Sequence, residues 1–587
     1  MQKRRVRWGI ASPRKPASPG EVIEILLAER GIEPASLDAG LLCLESDALG
    51  MRNLDEAAAM VGGHLLSRSK VVLAGDYDCD GLTAIAQMAL FLKRIGIRDF
   101  ATATPANRAE GYGMPIEAVA THRDAGLFLV FDCGSFDIEA VAAARRQGAD
   151  VVVLDHHEID DPSRLAPASV LVNPRHPECP SRFKDFATAG LVLLFLARLR
   201  RVLEPKLGAV PIDGDYIALA TVGTIADMMP LLGSNRALVR QGLAMLTRGR
   251  FLPLQALRAV AGLGGRPVRA SHVSFQIAPR LNAAGRVGSA RTALALLLAE
   301  DPVEIETLAR ELDLLNRQRQ QQVEEISARL LAQVAGLPDR SAVVLADAEY
   351  PQGINGILAQ HVVREVRRPA IVLQVLGEEG VATGSARSIP GFNLHAALAE
   401  CAPLLERWGG HAMAAGLTVA LERLDEFRAR FEEVAERLDP DRDGAHEWAD
   451  MEIDPGLVGI ELIDALERLE PHGVGNPAPR FLLRGQTITR LRSFGRAPRG
   501  PHLELSLAGG LSAVRWQGGA STDWSVGDRV DLVCTLGWND YQGCPQAAVV
   551  DAGKDLFAEA ATGIEEPRAD LVRQAVAHGP DVRSVHP

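Results

Sequence analysis

The sequence of 587 residues lacks the features that mark several classes of protein. Its seven cysteines form no CxxC pair, which disfavours a disulfide scaffold or a thiolate zinc site and indicates reduced thiols in a cytoplasm. No apolar run reaches the about 18 residues of a membrane span, and the basic N-terminus is not followed by the apolar stretch of a signal peptide. We therefore expect a cytoplasmic protein without membrane contact, built from about three or four domains of roughly 150 residues.

Acidic residues are absent from residues 228–299, although the chain as a whole has a net charge of −12. Residues 421–470 alone carry a net charge of −11, which leaves −1 for the rest of the chain. The acid-free stretch contains ten arginines: Arg236, Arg240, Arg248, Arg250, Arg258, Arg266, Arg269, Arg280, Arg286 and Arg291. One interpretation is a buried helical segment with solvated arginines. The other is a cationic face for a polyanion such as nucleic acid.

Short apolar runs alternate with helical stretches from Lys70 onward. This alternation predicts buried strands in a parallel, doubly wound sheet, at 71–74, 127–131, 150–154 and 170–172. A long helix is predicted from Asp301-Pro302, with Glu304 in a capping box, and could connect two domains. Further strands at 342–345 and 370–374 predict a second α/β unit. Beyond about Pro479, alternating short strands predict a small β-barrel.

Four clusters of acidic residues and histidine stand at the ends of these predicted elements. They are Gly75-Asp76-Tyr77-Asp78-Cys79-Asp80-Gly81, Asp132-Cys133-Gly134, Asp155-His156-His157, and Asp227. Open α/β sheets bind ligands at the carboxyl edge of their strands, where the first three clusters would converge. Several ionised carboxylates can share such a site only when cations neutralise them. Oxygen and imidazole ligands without thiolates favour Mn²⁺ or Mg²⁺, and a pair of such ions can promote phosphoryl transfer.

The sequence D-x-D-x-D-G in the first cluster is also typical of a calcium-binding EF-hand loop. Here, however, the twelfth position of the loop is Gln87 instead of glutamate, and a predicted strand rather than a helix precedes the loop. We therefore favour the metal-dependent phosphoryl-transfer interpretation.

The sequence resembles the DHH phosphoesterase superfamily and, within it, the RecJ family of single-strand-specific exonucleases. The resemblance runs from about Val71 to the β-rich C-terminus. The stretches that carry it are GDYDCDG (75–81), DCG (132–134), DHH (155–157), GTIAD (223–227), APRLNAAGRVGSA (278–290), LARELDLLNRQRQ (308–320), GSARS (384–388), GGHAMAAGLTV (409–419) and PHGVGNPAP (471–479).

The resemblance implies a role for each residue of the four clusters. The metal ligands would be Asp76, Asp78, Asp80, Asp132, His156 and Asp227. Asp132 is implied to be shared by both ions and to take part in catalysis. His157 would contact the scissile phosphate or assist proton transfer. Asp155 would orient a histidine.

The resemblance also implies a set of substrate contacts. Arg108 and Tyr112 lie in a segment similar to the entry loop of the family, although one residue shorter, and Tyr112 would stack on a base. Ser385 and Arg387 resemble a pocket for a terminal phosphate, because a guanidinium binds phosphate through two donors. The implied contacts to the strand backbone are Arg280, Asn282, Arg286, Gly409, Gly410 and His411. Without the resemblance, the two glycines would equally suit an ordinary tight turn.

The expected fold class is α/β. A DHH-type doubly wound parallel sheet domain is joined by a long helix to a second, DHHA1-type α/β domain, which is followed by a C-terminal OB-type β-barrel. The expected boundaries are an N-terminal helical extension (1–66), the DHH catalytic domain (67–300), the connecting helix (301–336), the DHHA1 domain (337–455), the OB-fold nucleic-acid-binding domain (456–560) and a C-terminal tail (561–587).

These expectations combine into one functional hypothesis: a 5′→3′ exonuclease that uses two divalent cations, Mn²⁺ or Mg²⁺, to degrade single-stranded DNA to 5′-mononucleotides. The implied role is recombination and repair, in a monomer that cooperates with a helicase and a single-strand-binding protein. One rival is a DHH phosphodiesterase acting on short oligonucleotides or cyclic dinucleotides. Another is a catalytically inactive DHH-type scaffold that binds DNA.

Overall fold

A computed structural model describes residues 6–107, 110–159, 161–439, 445–495, 501–516, 524–539, 544–553 and 556. The chain divides into two compact units. The first comprises Ala39–Leu438, and the second combines Lys3–Asp38 with Asp439–Pro587.

The strands of the described residues are, in chain order, β1 (Val6–Ser12), β2 (Val71–Gly75), β3 (Phe100–Ala103), β4 (Leu127–Phe131), β5 (Asp150–Leu154), β6 (Val170–Val172), β7 (Val343–Asp347), β8 (Ala370–Leu376), β9 (Val381–Arg387), β10 (Arg407–Gly410), β11 (Ala414–Ala420), β12 (Ala445–Glu452), β13 (Phe481–Phe494), β14 (His502–Leu507), β15 (Ser512–Arg515), β16 (Arg529–Asn539) and β17 (Cys544–Gly553).

The α-helices of the described residues are α1 (Pro19–Arg30), α2 (Leu42–Asp47), α3 (Leu54–Leu66), α4 (Cys79–Arg94), α5 (Ile116–Thr121), α6 (Ile138–Arg146), α7 (Thr188–Leu207), α8 (Gly214–Ala226), α9 (Gly233–Arg248), α10 (Leu252–Val260), α11 (Ala270–His272), α12 (Ala278–Val287), α13 (Ala290–Leu298), α14 (Pro302–Gly336), α15 (Asn355–Val366), α16 (Leu394–Ala399), α17 (Leu424–Leu438) and α18 (Ile460–Glu467). None of them combines the length and the apolarity of a membrane span.

The first unit contains the predicted parallel sheet. Its strand order is β3-β2-β4-β5-β6, and every neighbouring pair is parallel. Strands β2 and β4 are buried along their whole length, because helices cover both faces of the sheet. One face packs against a core that includes α4, α7 and α8, and the other packs against α6. The doubly wound architecture expected from the sequence is therefore confirmed.

Helix α14 connects this sheet domain to a second one, as predicted. Asp301 caps the helix, since its carboxylate accepts hydrogen bonds from the backbone N–H groups of Val303 and Glu304. The first half of the helix buries Ile305 and Leu312 in the core of the first domain, and the second half contributes to a separate core. The second sheet has the order β10-β11-β9-β8-β7, in which only β7 and β8 run parallel.

The second unit contains a closed β-barrel. Strands β13, β14, β15, β17 and β16 follow one another around it, and a further pairing between β13 and β16 closes the ring. Closure leaves no exposed edge within these five strands, which is the arrangement of a five-stranded OB-type barrel. The predicted C-terminal barrel is thus confirmed.

The expected N-terminal helical extension (1–66) is not a single element. Residues 6–12 form β1, which pairs in parallel with β12 and places Trp8 in the second unit with 2% of its surface exposed. Helices α2 and α3 belong instead to the first unit. The local pattern could not show this division, because the partner of β1 lies about 440 residues away. The same pairing assigns β12 to the second unit, so the expected DHHA1 boundary at 455 is too late. The predicted tail (561–587) lies outside the described residues.

Candidate active site

Three of the four predicted clusters meet at the carboxyl edge of the parallel sheet. Asp76, Asp132 and Asp155 directly follow β2, β4 and β5, which are adjacent strands in the sheet. The register pairs the last residues of these strands, Gly75 with Phe131 and Phe131 with Leu154, so the residues that follow them are also level. Parallel pairing therefore brings together carboxylates that are distant from one another in sequence.

The carboxylates and histidines form two groups that share Asp132. In the first group, Nε2 of His156 lies 3.3 Å from Oδ1 of Asp132, 3.3 Å from Oδ2 of Asp227 and 4.0 Å from Oδ2 of Asp80. In the second group, one ligand atom from each of Asp76, Asp78 and Asp132 lies within 4.8 Å of the others. The structure thus brings together all six predicted metal ligands. Asp132 is the member that contributes to both groups.

The start of α4 holds the side chains of the first cluster in place. Asp78 is the N-cap of this helix, and its Oδ1 accepts hydrogen bonds from the backbone N–H groups of Asp80 and Gly81. The two oxygens of Asp80 accept hydrogen bonds of 2.9 and 2.7 Å from the backbone N–H groups of Ala189 and Thr188 at the start of α7. Both carboxylates are therefore held in place by backbone N–H groups at helix N-termini.

The backbone at Asp132 has a conformation that few residues adopt. Its φ of +60° lies in the left-handed region, where aspartate is tolerated better than most other residues. The backbone N–H of Asp132 donates to the carbonyl of Leu154, and the hydroxyl of Tyr112 donates to the carbonyl of Asp132 at 3.2 Å. These contacts hold the residue between the neighbouring strand and the entry loop.

Burial and mutual repulsion shift the titration of the cluster. Burial raises the pKa of Asp76, Asp132 and Asp227 well above the ordinary carboxylate value, and neighbouring carboxylates add to the effect. Burial and the charge of Asp78 raise the pKa of Asp80 to about 7. Burial lowers the pKa of His156 to about 3, so its imidazole is neutral and able to coordinate a cation. A set of buried carboxylates in such proximity requires either protons or cations.

The atoms of this cluster fit divalent cations. Oδ1 of Asp76, Oδ2 of Asp227 and both ring nitrogens of His156 are buried, and among the described residues they have no hydrogen-bond partner. Burial also raises the pKa of the nearby thiols of Cys79 and Cys133, which keeps them protonated and unsuited to bind metal. The remaining donors are carboxylate oxygens and imidazole nitrogens, a set that suits Mn²⁺ or Mg²⁺.

The structure agrees with setting aside the EF-hand interpretation. Gln87 lies within α4 and is fully buried. Its side-chain amide donates a hydrogen bond to the carbonyl of Ala189 at 3.0 Å. The twelfth position therefore packs inside the domain and does not close a calcium-binding loop.

Asp155 and His157 form a separate pair beside the cluster. Oδ1 of Asp155 lies 2.7 Å from Nδ1 of His157 and accepts hydrogen bonds from the backbone N–H groups of His156 and His157. Burial opposes a charge on His157, but the charge and hydrogen bond of Asp155, together with the charges of Asp227 and Asp78, outweigh this effect and raise the pKa of His157 to about 9. For Asp155, burial opposes ionisation, but the charge and hydrogen bond of His157, together with His156 and Ser135, outweigh it and lower the pKa. His157 is thus a protonated imidazole that Asp155 holds in one orientation, and 36% of its side chain is exposed.

Tyr112 lies over this pair. Its hydroxyl oxygen is 2.9 Å from Nε2 of His157, and the two rings meet edge to face with 5.8 Å between their centroids. Tyr112 is 56% exposed, so its ring remains accessible for the predicted base stacking. Arg108, the other residue predicted on this loop, lies outside the described residues.

The arginines of the acid-free stretch do not form one continuous cationic face. Arg258 is 5% exposed and donates to backbone carbonyls, among them that of Leu246 at 2.7 Å. Arg280 pairs with Asp313 at 2.7 Å and has only 12% of its side chain exposed. Arg280 thus forms an internal ion pair, and its contact with the DNA strand stays a prediction. Arg258 and Arg280 are therefore not solvated, whereas Arg240, Arg248, Arg250 and Arg266 are exposed.

Asn282 and Arg286 lie on α12, between the metal cluster and the second sheet domain. Oδ1 of Asn282 accepts a hydrogen bond from the backbone N–H of Cys79 at 2.8 Å, so it supports the loop of the first cluster. Nη1 of Arg286 donates to the carbonyl of Gly353 at 3.0 Å. A Cβ atom on Gly353 would lie 2.2 Å from the backbone oxygen of Arg286, so only glycine permits this close approach.

The remaining predicted contacts lie on the second sheet. Ser385 and Arg387 are on β9, and the guanidinium of Arg387 lies against Gly356 at the start of α15, where a Cβ atom would be 2.6 Å from Nη2. Gly409, Gly410 and His411 lie on the β10–β11 hairpin, and Gly410 has a φ of +139°. His411 is exposed, and its charge is among the smaller influences that, after burial, lower the pKa of His156. The structure thus places Ser385 and Arg387 on β9 and Gly409 and Gly410 on β10, with β11 between these two strands and His411 directly after β10.

Two residues near the cluster were not predicted from the sequence. Thr188 begins α7, and its hydroxyl donates to Oδ1 of Asp132 at 3.1 Å. Arg175, which follows β6, donates to Glu158 and Asp185. Its positive charge adds to the effect of burial that lowers the pKa of His156 and opposes the rise in the pKa of Asp227. The only sequence signal for Thr188 is the small-residue run Ala187-Thr188-Ala189-Gly190, which allows close packing but identifies no ligand.

Three family models match separate parts of the chain. They are the DHH family N-terminal domain at residues 70–224, the DHHA1 domain at residues 339–437, and the RecJ OB domain at residues 449–550. The chain is 32% identical over 577 residues to a protein of Bacillus subtilis (strain 168) named single-stranded-DNA-specific exonuclease RecJ. This alignment covers 94% of the chain and 71% of the relative.

Solved structures of RecJ from Thermus thermophilus are also similar to the chain. The structure in complex with Mn²⁺ superposes with a TM-score of 0.78 at 32% identity. The match covers 94% of the present chain and 80% of the Thermus thermophilus chain. The structure in complex with Mg²⁺ gives a TM-score of 0.73 at 31% identity, and the match covers 93% of the present chain and 78% of the Thermus thermophilus chain. The similarity therefore includes all three predicted domain types.

Proposed function

The chain belongs to the RecJ family of DHH phosphoesterases, and on this premise we propose that it is a metal-dependent exonuclease that degrades single-stranded DNA from the 5′ end to 5′-mononucleotides. The observation that carries the proposal is the metal cluster. Six ligand residues from four separate segments converge at one sheet edge, and several of their buried polar atoms have no hydrogen-bond partner among the described residues.

Two divalent cations, Mn²⁺ or Mg²⁺, suit the two groups of ligands. Asp80, His156 and Asp227 would hold one ion, Asp76 and Asp78 would hold the other, and Asp132 would contribute to both. When bound, the ions supply Lewis-acid stabilisation for the attacking water and for the leaving oxygen of phosphodiester hydrolysis. Neutral His156 suits this role, since an imidazolium could not coordinate a cation.

The residues beside the cluster would handle the scissile phosphate. Asp155 keeps His157 oriented and protonated, so Nε2 of His157 would donate a hydrogen bond to a phosphate oxygen that takes the place of the Tyr112 hydroxyl. Tyr112 lies directly over His157 and would stack on the base of the terminal nucleotide. The hydroxyl of Tyr112 contacts both His157 and the backbone carbonyl of Asp132. The position of the stacked base would therefore be coupled to that of the reacting phosphate.

The 5′-terminal phosphate would bind on the second sheet domain. Arg387 supplies a two-donor guanidinium and Ser385 a hydroxyl on the same strand. The β10–β11 hairpin adds accessible backbone at Gly409 and an exposed imidazole at His411. Arg286 reaches Gly353, which closely precedes α15, so α12 links this pocket to the metal cluster. A fixed distance between the two would measure one nucleotide from the end of the strand.

The wider assignment follows from the same family membership. The substrate is single-stranded DNA, and the barrel of the second unit would be the additional nucleic-acid-binding domain. We assign the DHH domain to 67–300, the connecting helix to 301–336 and the DHHA1 domain to 337–438, with the barrel unit beginning near 445 and using β1 and α1. A cytoplasmic monomer that cooperates with a helicase and a single-strand-binding protein in recombination and repair completes the proposal.

A comparison of substrates and label positions tests this function. A single-stranded 30-mer labelled at either end, a duplex of the same sequence and a dinucleotide are each incubated with the protein and Mn²⁺. We expect immediate release of labelled mononucleotide from the 5′-labelled strand, slow shortening of the 3′-labelled strand, and little reaction of the duplex. Preferential hydrolysis of the dinucleotide would support the short-oligonucleotide rival. Binding of the 30-mer without cleavage would support the inactive scaffold.

A further inference from the structure

Helix α7 begins in direct contact with the metal cluster. The backbone N–H groups of Thr188 and Ala189, its first two residues, donate to the two oxygens of Asp80. The first N–H groups of a helix have no acceptor within the helix, and Asp80 supplies one for each of these two. Asp80 thus acts as the side-chain cap of a 20-residue helix as well as a candidate metal ligand.

The side chain of Thr188 reaches a second carboxylate, that of Asp132, which both ion groups share. Its hydroxyl donates a 3.1 Å hydrogen bond to Oδ1 of Asp132, and both residues are buried, with 0% and 3% of their surfaces exposed. One residue therefore contacts two carboxylates at once, through its backbone at Asp80 and through its hydroxyl at Asp132. Asp80 and Asp132 come from clusters that follow different strands.

The hydroxyl of Thr188 bonds only one of the two oxygens of Asp132, which suits metal binding by this carboxylate. A hydroxyl has one proton, and Thr188 uses it on Oδ1, the same oxygen that lies 3.3 Å from Nε2 of His156. Among the described residues, no hydrogen-bond donor is found for Oδ2 of Asp132, so no hydrogen bond competes with a cation for that oxygen. The branched side chain of threonine restricts its own rotamer, so the hydroxyl is held in place.

We propose that Thr188 is a positioning residue for the shared carboxylate: its hydroxyl fixes the orientation of Asp132, so that one oxygen faces each ion group. This inference rests on the proposed metal-dependent function and concerns a residue to which no role was assigned from the sequence. A purely structural role would need only the shape of the side chain, which valine reproduces. The distinguishing element is therefore the hydroxyl.

The test compares three substitutions with a matched control. Thr188→Val keeps the shape and removes the hydroxyl, Thr188→Ser keeps the hydroxyl, and Thr188→Ala provides a second hydroxyl deletion if the valine variant does not fold. The control is Thr221→Val, since Thr221 is also fully buried but its hydroxyl meets only a backbone carbonyl, that of Leu238. The first measurement is the Mn²⁺ dissociation constant of the EDTA-treated full-length protein without DNA, by titration calorimetry.

Loss of a hydrogen bond to a metal ligand typically weakens metal affinity about 10- to 100-fold. We expect this loss in Thr188→Val and Thr188→Ala, at least for the weaker ion, with Thr188→Ser within about threefold of wild type and Thr221→Val unchanged. In the exonuclease assay, Thr188→Val should need a correspondingly higher Mn²⁺ concentration for half-maximal rate, with little change in KM for DNA.

Two results would overturn the inference. Mn²⁺ affinity of Thr188→Val within about threefold of wild type would show that the hydroxyl does not orient Asp132. A loss in Thr188→Ser equal to that in Thr188→Val would assign the effect to packing. These outcomes are separate from a failure of the proposed function, because Mn²⁺ binding by the wild type without cleavage of DNA would contradict the function and leave the role of Thr188 intact.

Discussion

Removal and restoration of the cations should change the stability of the first unit by an amount that the structure allows us to calculate. Without cations, Asp76, Asp80, Asp132 and Asp227 are buried close together, and their raised pKa values reflect the cost of ionising them. A ligand that binds only the folded state at 100 times its Kd adds about 2.7 kcal/mol of stability. Two ions would therefore add about 5.4 kcal/mol.

This free energy converts to a shift in melting temperature. Unfolding entropy averages about 2.1 cal/mol/K per residue, which gives roughly 0.8 kcal/mol/K for a unit of about 400 residues. Each ion should therefore raise Tm by about 3 °C, and both ions together by about 6 °C. The assay is differential scanning calorimetry of the EDTA-treated protein, with Mn²⁺ added to saturation, on the transition of the first unit.

Substitutions test the sharing of Asp132 within the same assay. Asp227→Asn and Asp76→Asn each affect one ion group and should retain a shift of about 3 °C, whereas Asp132→Asn affects both and should lose nearly the whole shift. In EDTA, each variant should melt at or above the wild-type temperature, because the change removes a repelled charge. Asp124→Asn is the control, since Asp124 pairs with Lys70 at the surface. A full shift in Asp132→Asn, or no shift in the wild type, would refute the reasoning.

Three further predictions concern the substrate pocket and the second unit. Tyr112→Ala should raise KM for single-stranded DNA about tenfold, because stacking on one base contributes about 1–3 kcal/mol, while Tyr112→Phe should stay within about threefold of wild type in steady-state kinetics. Arg387→Ala should slow the reaction of a 5′-phosphorylated strand about 10- to 100-fold and that of a 5′-hydroxyl strand much less, as measured in parallel time courses. Asn476→Ala should destabilise the second unit by about 2–4 kcal/mol in chemical denaturation, because the buried amide donates to the carbonyls of Leu469 and Pro471 and accepts from Arg30.

Each of these predictions has an outcome that contradicts it. An equal loss in Tyr112→Phe and Tyr112→Ala would assign the role of Tyr112 to its hydroxyl bond with His157 instead of to stacking. Equal slowing of the phosphorylated and unphosphorylated strands would remove Arg387 from the terminal-phosphate pocket. An unchanged unfolding midpoint in Asn476→Ala would show that the loop it ties is already fixed by other contacts.

The parallel sheet and its acidic edge were predictable from the sequence. Buried strands read as short apolar runs, and parallel pairing makes the residue after each strand converge with the others. Asp76, Asp132 and Asp155 needed nothing beyond this rule to be placed together. The resemblance implied that Asp155 orients a histidine, and the structure shows that this histidine is His157.

Features that depend on distant partners were not predictable in the same way. The ion pair of Arg280 with Asp313 on α14 is one such feature, because no local pattern reports that contact. The hydroxyl of Thr188 meets Asp132 from 56 residues away, so its role emerged only from the packed helix. Strand β1 pairs with β12, about 440 residues later in the chain. A local sequence pattern indicates the secondary structure of a segment but does not identify so distant a partner.

The most direct test of the central claim is the single-turnover release of mononucleotide from a 5′-labelled single strand in Mn²⁺, measured for the wild type, Asp132→Asn and the surface control Asp124→Asn. The account predicts that Asp132→Asn loses about 10³-fold or more in rate, corresponding to about 4 kcal/mol of stabilisation through metal ions, while Asp124→Asn matches the wild type. Release of mononucleotide by Asp132→Asn at the wild-type rate would contradict the assignment of the shared carboxylate and the metal-dependent mechanism built on it.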